Sequence, residues 1–220
     1  EDIQLSVTFD LVGGHLFKGL EDSVFVIGTE SSPSLAQLIS SKPVEKLHVW
    51  PFATEVLEPL GSWWPRSDYG PFRDHGVPHL FLSTGTPWYY HQPSDTSENI
   101  DYNQMAHITN YVFDLLWPIL TGQVTIARTE SPANLRNINA KQSLEILNKL
   151  IENAKVNAVE EDDLEDLKED AEKLNKLLLH ENPDVSACHV QIPFMDILTS
   201  LKVRGPSSFI SFLLNRWCWR

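Results

Sequence analysis

The sequence predicts an α/β fold, a layered β-sheet flanked by helices and followed by a mainly helical C-terminal extension. Three observations lead there. Strand-like and helix-like segments alternate through residues 1–122. After Gln123 the texture changes to leucine-rich seams at helical spacing. The 220 residues, 42% hydrophobic and 21% charged, suffice for one well-buried core plus an appendage.

Ile3 to Asp10 alternates apolar and polar residues as a strand does, then meets Gly13-Gly14, a pair that permits a turn. Asp10 therefore falls at the carboxyl end of a strand. Ser23 to Gly28 (SVFVIG) reads as a buried strand, Ser34 to Ser40 as a short helix and Lys46 to Pro51 as a third strand. Val77 to Ser83 is a further apolar strand, opening into Thr84-Gly85-Thr86-Pro87 and a loop that carries His91. Tyr102 to Leu120 has the length and periodicity of a packing helix, stopped by Gly122.

Beyond Gln123, Leu144, Leu147, Ile151 and Ala154 form one seam, and Leu164, Leu167, Ala171, Leu174 and Leu178 a second. Two such seams predict a helical hairpin turning near Val156 to Glu160. The acidic run from Glu160 to Asp170 reads as the solvated, negative start of its second helix. The tryptophan-bearing end, Ser207 to Arg220, reads as core packing, with a partner or membrane-surface contact as the alternative.

Charge narrows the function. With 17 Lys+Arg against 30 Asp+Glu, the formal net charge of −13 opposes any surface that tracks phosphates, so nucleic acid is not an expected partner. The negative excess lies in residues 1–120, with 15 acidic and 5 basic side chains, against 15 and 12 in the rest. Cys188 and Cys218 are too few for a disulfide framework and too far apart for a thiolate zinc knuckle. No apolar run reaches the roughly 18 residues of a transmembrane span. The phosphate loop, the dinucleotide glycine fingerprint, the GxSxG serine elbow and the HExxH helix are all absent.

What remains is a set of oxygen and imidazole groups at strand ends, where α/β sheets bind ligands. Asp10 and His91 both follow strands into loops, and carboxylate with imidazole suits Zn²⁺. Taken alone, each is as ordinary as any loop side chain.

Their context is less ordinary. Ser67 to Met105 (SDYGPFRDHGVPHLFLSTGTPWYYHQPSDTSENIDYNQM) resembles the closing signature of the co-catalytic di-zinc aminopeptidases. Its parts are a Ser-Asp-aromatic-x-Pro-Phe turn, a Gly-Val-Pro strand, Tyr-His-x-Pro-x-Asp-Thr and an Ile-Asp-Tyr helix entry. FDLVGG (Phe9 to Gly14) is similar to the family's Leu-Asp-Met-Val-Gly block, and Gly19 to Leu35 continues in family style. The resemblance covers about residues 1–122. It implies a mixed β-sheet flanked by helices, with residues 1–122 as the C-terminal part of a zinc exopeptidase catalytic domain and 123–220 as a helical extension.

By that resemblance the enzyme is a zinc-dependent metallo-exopeptidase, an aminopeptidase acting on N-terminal peptide bonds through a hydroxide bridging two Zn²⁺ ions. Asp10 binds one ion and His91 the other. Asp68 takes a supporting position behind the metal-site groups, and Tyr90 either lines the substrate pocket or packs. Tyr69 stands where many relatives carry histidine. Pro87 and Pro93 stiffen the loop that presents His91, and Asp95-Thr96 caps the turn that follows. Export from the cytoplasm is implied by the relatives alone.

Relatives also supply a His-x-Asp pair and a Glu-Glu pair, the latter containing the general base, before the Asp-Met-Val-Gly block. Only nine residues precede Asp10, and Glu160-Glu161 lies in the wrong region. The expectation is therefore a chain that is inactive alone, with its general base upstream of Glu1 and the missing N-terminal part as a partner. An unpaired sheet edge follows from the same reading, and the helical extension is a surface for self-association. Two alternatives stay open: a glutaminyl cyclase-like acyltransferase using one zinc, and a non-catalytic binding module on the same fold.

Overall fold

Each segment patterned as a strand pairs into one sheet, trimmed where the backbone cannot continue the ladder. The structure, a computed structural model, describes residues 3–42, 44–57, 67–127 and 135–179. The strands are β1 (Ser6–Phe9), β2 (Ser23–Ile27), β3 (His48–Phe52) and β4 (His79–Ser83). β2 stops at Gly28, whose φ is 95°, β3 begins only after the left-handed Lys46 (φ 65°), and β4 begins after Pro78, which has no N–H to donate.

The strand order is β1-β4-β2-β3. β1 runs parallel to β4 and β2 parallel to β3, while β2 and β4 are antiparallel. The sheet is thus mixed, as the family resemblance implies. Among the described residues β1 pairs on one side only, and Ile3 and Phe9 at this edge are about half exposed.

Residue alternation gives the sheet two apolar faces. Val24, Val26, Leu80 and Leu82 pack beneath Leu35 and Ile39 of α1 (Pro33–Ser41) and Ile108, Tyr111, Val112 and Leu115 of α3 (Tyr102–Leu120). Between them in sequence lies the short α2 (Gly70–Asp74). α3 starts where the Asp101 carboxylate accepts the Gln104 N–H at 2.9 Å. Inside it, Pro118 lacks the N–H that would bond the Asp114 carbonyl, and the Lys42 ammonium at the end of α1 donates to that carbonyl instead, at 2.7 Å.

The opposite face presents Phe25, Ile27, Trp50, Phe52 and Phe81. It is covered by Leu16, Phe17 and Leu20, and by the antiparallel seams of α4 (Leu135–Glu152) and α5 (Glu161–Leu179). Ile146, Leu147 and Leu150 meet Leu167, Ala171 and Leu174 in one core with the sheet. The hairpin therefore buries its seam against the sheet as well as against itself. Two asparagines fasten it: Asn139 Oδ1 accepts the buried Ala53 N–H at 2.8 Å, and Asn157 exchanges two bonds with the Lys18 backbone, at 2.8 and 3.0 Å. Asn139→Ala will leave the Ala53 N–H buried without an acceptor and lower unfolding stability by about 1–3 kcal/mol, measured by urea denaturation. The tryptophan-bearing end and both cysteines lie outside the described residues.

Candidate functional site

Because β1 and β4 are parallel neighbours, the chain leaves both at the same sheet edge. Asp10 extends the ladder one step, its N–H donating to the Leu82 carbonyl at 3.1 Å. Leu11 then turns left-handed, φ 57°, a conformation that costs a non-glycine residue about 1 kcal/mol. Its carbonyl receives both the Thr84 N–H at 3.0 Å and the Thr84 hydroxyl at 2.5 Å, which hold the turn. The Asp10 carboxylate is left exposed at the rim, with one oxygen, Oδ2, accepting the Ser67 hydroxyl at 3.2 Å.

The next two residues must be small. A Cβ at Gly14 would lie 2.7 Å from Tyr89 Oη and 3.1 Å from Pro87 Cβ, and one at Gly13 would lie 2.9 Å from Ile100 Cγ2. The Gly13 carbonyl accepts the Asp101 N–H at 2.8 Å. The loop after β1 is thereby pressed against the loop after β4 on both sides of His91.

His91 sits on a series of tight turns, with Tyr90 N–H donating to Pro87 O at 3.0 Å and Gln92 N–H to Tyr89 O at 2.9 Å. Its φ is 58°, left-handed again, and its side chain is exposed. The imidazole stacks on Tyr90, centroids 3.8 Å apart and planes 23° from parallel. Below it the Tyr89 hydroxyl donates to the Asn99 carbonyl at 3.0 Å; burial, and then the Asp95 charge, raise the pKa of that phenol. Thr96 precedes the short Ser97–Asn99 turn but makes no side-chain cap; capping falls to Asp101, one element later.

Of the other expected site residues, Asp68 is exposed, and the contact with Asp10 is made by its neighbour Ser67. Tyr90 is half-buried against His91. Tyr69 is fully buried and stacks on His79, centroids 5.6 Å apart and planes 10° from parallel. Sequence reading passed over Ser67 and the left-handed backbone at Leu11 and His91. For Ser67 the signal was there, since it opens the Ser-Asp-Tyr turn.

His79 anchors the other end of β4. Its Nδ1 faces the Val77 carbonyl at 3.3 Å, an acceptor, so Nδ1 carries the proton and Nε2 accepts from the Thr54 hydroxyl at 3.0 Å. Glu30 Oε1 accepts the Thr54 N–H at 2.9 Å, while its Oε2 is buried without a hydrogen-bond partner among the described residues. Burial lowers the His79 pKa and the Arg73 charge adds to the lowering; Glu30 and the Val77 carbonyl oppose both. A histidine whose folded pKa is depressed contributes stability above its unfolded pKa, about 6.5, and loses it as pH falls through the folded value. Stability will accordingly decline on acidification below about pH 6.5, and a His79→Phe variant will show a shallower decline in denaturation midpoints over the same range.

Asp10 and His91 offer a carboxylate oxygen and an imidazole free of hydrogen bonds among the described residues, donor types that suit zinc. Among the described residues, no three histidine, cysteine, aspartate or glutamate side chains gather into a cage for a metal ion. No helix among them is long and apolar enough to cross a membrane. In comparisons with known proteins, the sequence model of peptidase family M28 matches residues 11–116, a span that begins one residue after Asp10 and includes His91. No curated protein and no solved structure matches significantly.

Proposed function

We propose, from the match of residues 11–116 to peptidase family M28, a family of zinc-dependent metallopeptidases, that this chain contributes Asp10 and His91 as zinc ligands to an aminopeptidase centre. The observation that carries this reading is the parallel pairing of β1 with β4, which brings the Asp10 and His91 loops to one edge and interlocks them at Gly13 and Gly14. We assign residues 1–122 to the catalytic domain and 123–220 to its helical extension, with α4 and α5 closing the core beneath the site.

Bound zinc supplies polarisation of the scissile carbonyl and activation of water at neutral pH. The chain's own residues do the rest of what can be assigned. With Oδ2 held by Ser67, Asp10 keeps Oδ1 for a cation. The Tyr90 ring restrains rotation of the His91 imidazole and walls one side of the rim. The remaining ligands and the general base lie outside the described residues, and two ions are expected once they are in place. The substrate is a peptide with a free N-terminus.

The deciding experiment takes the intact protein, counts zinc per chain and assays aminoacyl p-nitroanilides. Two zinc ions and turnover support the aminopeptidase. One zinc ion with cyclisation of an N-terminal glutamine would replace it by the acyltransferase, and absence of both would leave a binding module.

A further inference from the structure

The turn that contacts Asp10 is held from a distance. Ser67 is followed by Asp68 and Tyr69, then by α2, with Gly70 N–H bonded back to the Ser67 carbonyl at 3.2 Å and Arg73 N–H to the Tyr69 carbonyl at 3.0 Å. This is a stiff turn, and its one fully buried side chain is Tyr69. That ring lies flat on His79 and against Phe81, whose centroid is 5.5 Å away.

His79 is itself immobilised on every side. Its ring nitrogens are engaged by Thr54 and Val77. Its backbone N–H and carbonyl both bond the Ser31 hydroxyl, each at 3.0 Å. The imidazole edge packs against Gly28, where a Cβ would fall 3.0 Å from Cδ2. Glycine, serine and threonine thus build a fitted socket for one imidazole, and the ring of Tyr69 stacks on a face of it.

We propose that Tyr69 and His79 are positioning residues for the Asp10 carboxylate: their stack fixes the 67–70 turn so that the Ser67 hydroxyl occupies Oδ2 and leaves Oδ1 for the cation. The proposal rests on the reading of Asp10 as a ligand only in its last step. The orienting of a ligand by groups behind it is worth about 10–100-fold in metal affinity.

Two measurements test it. A crystal structure of Tyr69→Leu is expected to show Ser67 Oγ beyond hydrogen-bond reach of Asp10 Oδ2; the 3.2 Å contact persisting there overturns the proposal. In the intact protein, Co²⁺ titration followed by its visible absorption is expected to show about tenfold weaker binding for Ser67→Ala and for Tyr69→Leu. The double variant should be no weaker than either, whereas additive losses would mean that Tyr69 acts by another route and would overturn it. Should Tyr69→Leu fail to fold, the nearly isosteric Thr54→Val, which frees the His79 ring, is expected to weaken Co²⁺ in the same non-additive way with Ser67→Ala, and an unchanged affinity overturns the proposal. Asp10→Ala separates the two readings: unaltered Co²⁺ affinity in that variant removes Asp10 as a ligand, while the crystallographic distance still decides the positioning.

Discussion

His91→Ala and Asp10→Ala will each lower aminoacyl nitroanilide turnover by the intact protein at least about a thousandfold, a loss of about 4 kcal/mol in transition-state stabilisation. Neither will lower the melting temperature. Both side chains are exposed and neither fills a core position, so stability and activity are separable at this site. The contrast sharpens at His91→Gly. A left-handed backbone, φ 58°, costs histidine about 1 kcal/mol that glycine does not incur, so this variant should melt higher than the parent while turning over nothing. Nitroanilide assays paired with thermal melts check both halves. A variant that retains activity would remove His91 from the metal site, and one that loses stability would show the left-handed turn to be unstrained. Left-handed strain at an exposed imidazole, held by tight turns on either side, accords with the ligand role proposed for His91.

The second large effect concerns the fold. Gly28→Ala will destabilise the protein by about 3 kcal/mol or more, the sum of left-handed strain and an overpacked core. At φ 95° an added methyl would lie 2.5 Å from the His79 carbonyl oxygen, a backbone atom that accepts the Ser31 hydroxyl at 3.0 Å. It cannot move without shifting the start of β4. Because His79 carries the Tyr69 stack, the same variant should also weaken metal binding, and urea denaturation alongside Co²⁺ titration would detect both. A surface glycine gives the comparison: a Cβ at Gly76, also left-handed at φ 64°, meets nothing within 4 Å, so Gly76→Ala carries the strain without the clash and should destabilise less, with metal binding unchanged.

Much of this architecture can be read in the sequence, because burial imposes period. SVFVI and HLFLS are apolar on both faces, and both become strands with every residue buried. The Leu144 and Leu164 seams become α4 and α5, though spacing alone shows only that each helix needs an apolar partner. That the partner includes the sheet depends on Trp50, Phe52 and Phe25, residues about a hundred positions away. Strand order is of the same non-local kind: β4 lies between β1 and β2, a placement no local pattern encodes. At the site, Asp10 and His91 stand out because a motif surrounds them. Ser67 was legible only as the first letter of a turn, since its role depends on which neighbour reaches Asp10, Ser67 or Asp68. The Tyr69–His79 stack left no trace at all, two aromatics ten residues apart with a helix and a turn between them.

Pro118 and Lys42 form a joint device whose meaning extends past this one chain. The imino acid silences a donor within α3, and the ammonium from α1 moors at the vacated carbonyl. Restoring an ordinary residue at 118 would heal the ladder and cast Lys42 adrift, whereas losing Lys42 alone would strand the oxygen. Among homologues the two positions should therefore drift as a couple, a covariation between helices that share no side-chain-to-side-chain bond.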